Sequence, residues 1–232
     1  MRTIVDLKQL CCRRAAEDIR RLLAERPDAV LALTAGRTMT PLYAELVRLV
    51  RGGAMSLARA RVFTVAEFEG GDEALSCRRQ IEEELIGRTD LDPDKCRFLS
   101  AETAEGYDDA IREAGGLDMA VLGLGDNAHI GFNEPATPFE SYTHRQKLTD
   151  ATRRQLTEHF GAPERVPEHG WTMGIKTLVS ARQILLLAFG EEKTEPAFRM
   201  LYARTDSAVP AAFLQIPLNV TVYLDEAAAK KI

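Results

Sequence analysis

Short apolar runs alternate with amphipathic stretches along the chain. The runs at 29–34, 61–65, 119–124, 184–189 and 220–224 are almost continuously hydrophobic and rich in Val, Leu and Ala. Unbroken hydrophobicity predicts strands buried on both faces, as in a parallel sheet whose crossover helices cover each side. Between the runs, Leu42, Leu46, Leu49 and Val50 recur at helical spacing behind Pro41, a first-turn position where proline forfeits no hydrogen bond. The same periodicity predicts helices over 7–25, 76–86, 103–114 and 193–203. This alternation is that of an α/β fold with a mostly parallel sheet flanked by helices, read as a single domain over 1–232. The stretch 161–170, with Pro163 and Pro167, reads as a surface loop.

Composition narrows the partners. A hydrophobic fraction of 45% with 28% charged residues over 232 residues suits one globular core. The net charge of −5 leaves no cationic excess to neutralise a phosphate backbone, so nucleic acid and anionic membranes are poor partners. No stretch approaches bilayer-spanning length, and Arg2, Asp6 and Lys8 interrupt the N-terminal segment, so a cytoplasmic protein is expected. Cys11, Cys12, Cys77 and Cys96 have neither metal-ligand spacing nor a disulfide pattern and read as reduced thiols. No His, Cys and carboxylate grouping has metal spacing. Trp171 and Met173 read as core residues.

Two segments carry candidate chemistry. In LALTAGRTMTPLYAEL a buried strand leads through Gly36, Arg37, Thr38 and Thr40 into a helix beginning at Pro41. Free N–H groups and the dipole at a helix start attract anions, and Gly, Thr and Arg add close approach and donors. A plain capped turn uses the same residue types, and the lysine of a nucleoside-triphosphate loop is absent. The second segment, GLGDNAHIGFNEP, follows the strand ending near Leu124. Polar groups just past the carboxyl end of such a strand are placed for ligand chemistry. His129 titrates near neutrality and can move a proton, while Glu134 can orient it, with Pro135 holding Glu134 out of helical geometry. Gly123, Gly125 and Ala128 also fit a dinucleotide-binding spacing, but the residues that follow are a poor helix start.

Together GRTMTP, GLGDNAHIGFNEP and the later GEEK segment resemble the glucosamine-6-phosphate deaminase and galactosamine-6-phosphate isomerase family, within the superfamily that includes 6-phosphogluconolactonases. The resemblance covers nearly the whole chain. It implies a Rossmann-like, doubly wound fold, a small sugar-phosphate substrate, and conversion of an amino-sugar 6-phosphate to a ketose 6-phosphate plus ammonia, without metal or organic cofactor. Assembly is open, because such proteins range from monomers to hexamers and a homo-oligomer is one alternative. The NEP continuation favours the amino-sugar branch over the lactonases. By resemblance His129 helps open the sugar ring, Glu134 orients it, Lys193 contacts the phosphate, and Gly36, Arg37, Thr38 and Thr40 form the phosphate loop.

Three positions depart from the family pattern. Ala66 stands where an aspartate moves the C2 proton, and alanine accepts no proton, so Glu67 is expected to serve as a replacement base. Asn127 stands where many deaminases have aspartate. Glu158 falls at the register of a phosphate arginine, with Arg153 and Arg154 as nearby substitutes. The alternatives are a deaminase with an altered base, a lactonase-like hydrolase in which His129 activates water, and a sugar-phosphate-binding protein without catalysis.

Overall fold

The computed structural model describes residues 1–232. Its strands are β1 (Arg2–Val5), β2 (Val30–Leu33), β3 (Arg61–Thr64), β4 (Ala66–Phe68), β5 (Cys96–Arg97), β6 (Met119–Gly123), β7 (His144–Lys147), β8 (His169–Thr172), β9 (Gln183–Ala188) and β10 (Val220–Leu224). Its helices are α1 (Lys8–Glu25), α2 (Thr40–Arg51), α3 (Cys77–Glu84), α4 (Ala101–Ala104), α5 (Tyr107–Glu113), α6 (Asp150–Phe160), α7 (Ile175–Val179) and α8 (Thr194–Tyr202). Seven strands form one parallel sheet in the order β1-β10-β9-β6-β2-β3-β5, and β4, β8 and β7 form a small antiparallel sheet.

The unbroken apolar runs have the cause expected of them. Val30 and Ala32 of β2, with Ala120, Leu122, Ile184, Leu186 and Val222, belong to one core, together with Tyr107, Ile111, Ala197 and Met200. Leu31 and Leu33, with Met119, Val121, Leu185 and Leu187, belong to the other, together with Ala15 and Ile19 of α1 and Leu42 and Leu46 of α2. Alternate residues of each central strand therefore meet helices on opposite faces.

The pattern misled where burial is slight or the register breaks. β1 is an exposed edge strand of two polar and two apolar residues, and β5 has only two residues, so neither carries an apolar run. The helix expected over 103–114 is two, α4 and α5, because Gly106 takes φ 75°, a left-handed conformation that ends one helix and begins the next. α6 was not expected because it buries only Thr152 and Phe160; Thr149 caps it by accepting from the Thr152 N–H. The expected loop 161–170 holds a 3-10 turn at Pro163–Arg165 and the first two residues of β8. Met173 is buried and Trp171 half-buried against the first core. All four cysteines are free thiols, and no helix is long and apolar enough to cross a membrane.

Candidate active site

β2 and β6 are neighbours, but the chain leaves β2 toward β3 on one side and β6 toward β9 on the other. Loops at the carboxyl ends of such a pair diverge and leave a crevice between them. The β2 loop brings Gly36, Arg37 and Thr38, and the β6 loop brings Asp126, Asn127 and His129. β9 leads through Gly190 to Lys193, and β3 leads to Ala66 and Glu67. Segments spread over more than 150 residues of sequence thus share one edge of the sheet, as roughly expected for this fold type.

The β6 loop is shaped around an imidazole. The Gly125 N–H donates to the His129 carbonyl at 2.9 Å and the Ala128 N–H to the Gly125 carbonyl at 2.9 Å. A Cβ on Gly125 would clash with three atoms of the His129 ring, so only glycine lets strand end and imidazole pack this closely. No helix follows, which disposes of the dinucleotide-turn reading.

His129 is 8% exposed and Glu134 1%. Glu134 accepts from Asn127 Nδ2 at 2.6 Å, from the Thr149 N–H at 3.0 Å and from the Thr149 hydroxyl at 3.2 Å. A carboxylate accepts only, so the amide nitrogen of Asn127 must face it and the amide oxygen must face the other way. That oxygen lies 2.8 Å from His129 Nδ1 and accepts from the His129 N–H at 3.1 Å. The network therefore places the ring proton on Nδ1, also 3.1 Å from the Thr152 hydroxyl, and leaves Nε2 without a partner in the chain. Glu134 itself is 3.8 Å from Nδ1. It reaches the imidazole through Asn127, because the amide fills the space between them. Burial pushes the imidazole below its usual pKa; Glu134 opposes this, Lys193 adds to it and Asp126 opposes it. His129 is thus held neutral with a free basic nitrogen.

Asn133, fully buried, donates to the carbonyls of Ile130 and Met173, both at 2.8 Å. In the NEP run, then, Asn133 ties the loop to the end of β8, while Glu134 builds the relay.

The anion-binding end is less open than its sequence suggests. Gly36, at φ 126°, donates its N–H to Gln80 Oε1 at 2.8 Å, and Gln80 Nε2 donates to the Gly36 carbonyl at 3.2 Å and to Thr40 Oγ1 at 3.3 Å. The Thr40 hydroxyl donates to Glu84 at 3.1 Å. Arg37 is paired with Glu158 of α6, and Lys193 with Asp126. Among the expected loop residues only Thr38 has a side chain with no hydrogen bond in the chain. Arg153 donates to the Val166 carbonyl at 3.3 Å. Sequence reasoning missed Gln80, Asp126, Thr149 and Thr152; of these only Thr149 carried a local signal, as a helix cap.

Ala66 is buried in β4, opposite Thr172 of β8. Glu67 does not stand free as a base. Its carboxylate accepts from the N–H groups of Phe68 at 2.7 Å, Cys77 at 3.0 Å and Arg78 at 2.8 Å, binding β4 to the start of α3. Burial raises its pKa, against those three N–H groups and Arg78, which lower it. Both oxygens hold an otherwise unpaired helix start, so any use of Glu67 in place of the missing aspartate competes with these bonds.

Residues 3–223 match the family of glucosamine-6-phosphate isomerases and 6-phosphogluconolactonases. This chain belongs to that family. A glucosamine-6-phosphate deaminase of Rhodopirellula baltica is 40% identical over 222 residues, covering 92% of this chain and 86% of that one. One of Clostridium acetobutylicum is 33% identical over 226 residues, covering 94% of each. Among solved structures, a monomeric glucosamine-6-phosphate deaminase superposes with a TM-score of 0.95 at 30% identity, covering 99% of both chains. The 6-phosphogluconolactonase of Trypanosoma brucei shares the fold, with a TM-score of 0.78 at 19% identity. The chain is thus a glucosamine-6-phosphate deaminase-like member of the family, with the mostly parallel α/β fold that its sequence predicted.

Proposed function

We propose that this chain acts on a hexosamine 6-phosphate as an isomerase/deaminase, forming a ketose 6-phosphate and ammonia, with transfer of the C2 proton as its slow step. The observation that carries the reading is the Glu134–Asn127–His129 relay, which holds a neutral imidazole with Nε2 unpartnered at the crevice. Ring opening needs a group that takes the proton of the anomeric hydroxyl and delivers one to the ring oxygen, and a neutral histidine does both. Lys193, Arg37 and Thr38 supply the cations and hydroxyl for the phosphate. Ala66 supplies no base for C2 and Glu67 is bound to α3, so solvent water takes the C2 proton and returns one to C1, which is why that step limits turnover. A cytoplasmic setting fits such a metabolic role.

The same pair of facts favours a second reading. A lactonase-like hydrolase needs His129 to activate water but moves no carbon-bound proton, so Ala66 costs it nothing.

The test is NMR in heavy water with glucosamine 6-phosphate, galactosamine 6-phosphate and 6-phosphogluconolactone in separate reactions. Slow loss of the C2 proton with ketose phosphate formation, accelerated at least tenfold by Ala66→Asp, is the expected result. Lactone hydrolysis above the spontaneous rate with no C2 exchange selects the hydrolase. Line broadening without turnover in any reaction rejects both in favour of a binding protein.

A further inference from the structure

At the end of the crevice holding Gly36 and Lys193, each cation is matched by a carboxylate of the chain itself. The Lys193 side chain is 7% exposed and its partner Asp126 38%. Arg37 and Glu158 are 70% and 75% exposed. The Gly36 N–H and the Thr40 hydroxyl are also taken, by Gln80 and Glu84. A dianionic ester reaching this end must share Lys193 with Asp126 and Arg37 with Glu158 or displace those carboxylates, and in either case lies beside them. Repulsion between like charges is strongest where water is excluded and weak where it screens. Asp126, set against a buried ammonium, therefore opposes the phosphate more than Glu158 does.

We propose that Asp126 and Glu158 are specificity-determining residues: by occupying Lys193 and Arg37 they hold down the site's preference for a phosphorylated over an unphosphorylated hexosamine. This rests on the reading of the site as one for hexosamine 6-phosphates. The isosteric variants Asp126→Asn and Glu158→Gln release the cations without removing side-chain volume. The Asp126 main-chain N–H keeps its bond to Gln155 Oε1, 3.2 Å, so the β6 loop keeps its anchor.

Calorimetric titration of the full chain with glucosamine 6-phosphate and with glucosamine tests this, on wild type, both variants and Lys193→Ala. Asp126→Asn is expected to bind the 6-phosphate about tenfold more tightly, about 1.4 kcal/mol, and Glu158→Gln about twofold more tightly, with affinity for glucosamine unchanged in both. Equal tightening for the two sugars overturns the proposal, since it reports a relaxed loop and not a released charge. Unchanged or weaker 6-phosphate binding in both carboxylate variants also overturns it; if Lys193→Ala then weakens the 6-phosphate alone, the sugar-phosphate reading survives. Failure of wild type and every variant to bind the 6-phosphate overturns both.

Discussion

Around His129 the polar groups are buried or half-buried, and each is matched so that one nitrogen of one tautomer is left over. Around Gly36 and Lys193 the groups are matched too, but by half-buried Gln80 and Glu84 and by the solvent-facing carboxylates of Asp126 and Glu158, which leave nothing over except Thr38. A buried, satisfied network is rigid and expensive to rearrange, whereas the screened Arg37–Glu158 pair is worth about 0–1 kcal/mol and opens readily, and Asp126, the partner of the buried Lys193, is itself open to solvent. The crevice thus has one end built before the ligand arrives and another that must be rearranged by it. In such a site substitutions at the rigid end change turnover, and those at the exchangeable end change binding.

The sharpest break of this contrast is His129→Asn. It is expected to lower turnover of glucosamine 6-phosphate by about 10²–10⁴-fold while leaving its dissociation constant within about threefold by calorimetry; a loss in affinity of similar size would mean that the ring binds substrate more than it moves protons.

Glu67→Ala is expected to destabilise the fold by about 3 kcal/mol in urea unfolding, since buried N–H groups at the start of α3 lose their acceptor. Unchanged stability with abolished C2 exchange would restore Glu67 as the base.

Glu134→Gln should have a smaller effect, visible in the pH profile. The Glu134 charge raises the His129 pKa, so its removal extends activity to lower pH, moving the acid limb down. The same depressed pKa sets the sign for wild-type stability. The unfolded chain, whose histidine titrates near about 6.5, binds the proton more readily than the fold does. Stability from this site is therefore complete above that pH and falls as pH drops through it toward the folded value. His129→Gln should flatten this part of the curve in urea unfolding at pH 5 to pH 8; a steepening would show that the ring is favoured as a cation.

How much of this was legible in the sequence follows from what each signal depends on. Strands such as 184–189 and 220–224 were plain because burial on two faces demands an unbroken apolar run, and burial is written in residue type. β1, β5 and α6 were not, because their places are held by edge pairing and capping, with little apolar surface covered. His129, Asn127 and Glu134 lie within eight residues and could be read as one site, yet the sequence did not say that Asn127 stands between the other two.

By itself, then, the sequence determined the alternation of strand and helix, the family and the short polar run past β6, because these rest on hydrophobic periodicity and on residues adjacent in the chain. The tertiary structure alone decided the partners of the charges. Glu67 lies ten residues from Cys77, Gln80 44 from Gly36, Asp126 67 from Lys193 and Glu158 121 from Arg37. A side chain's charge is set by its own chemistry, but its availability is set by which groups the sheet order brings within hydrogen-bonding reach.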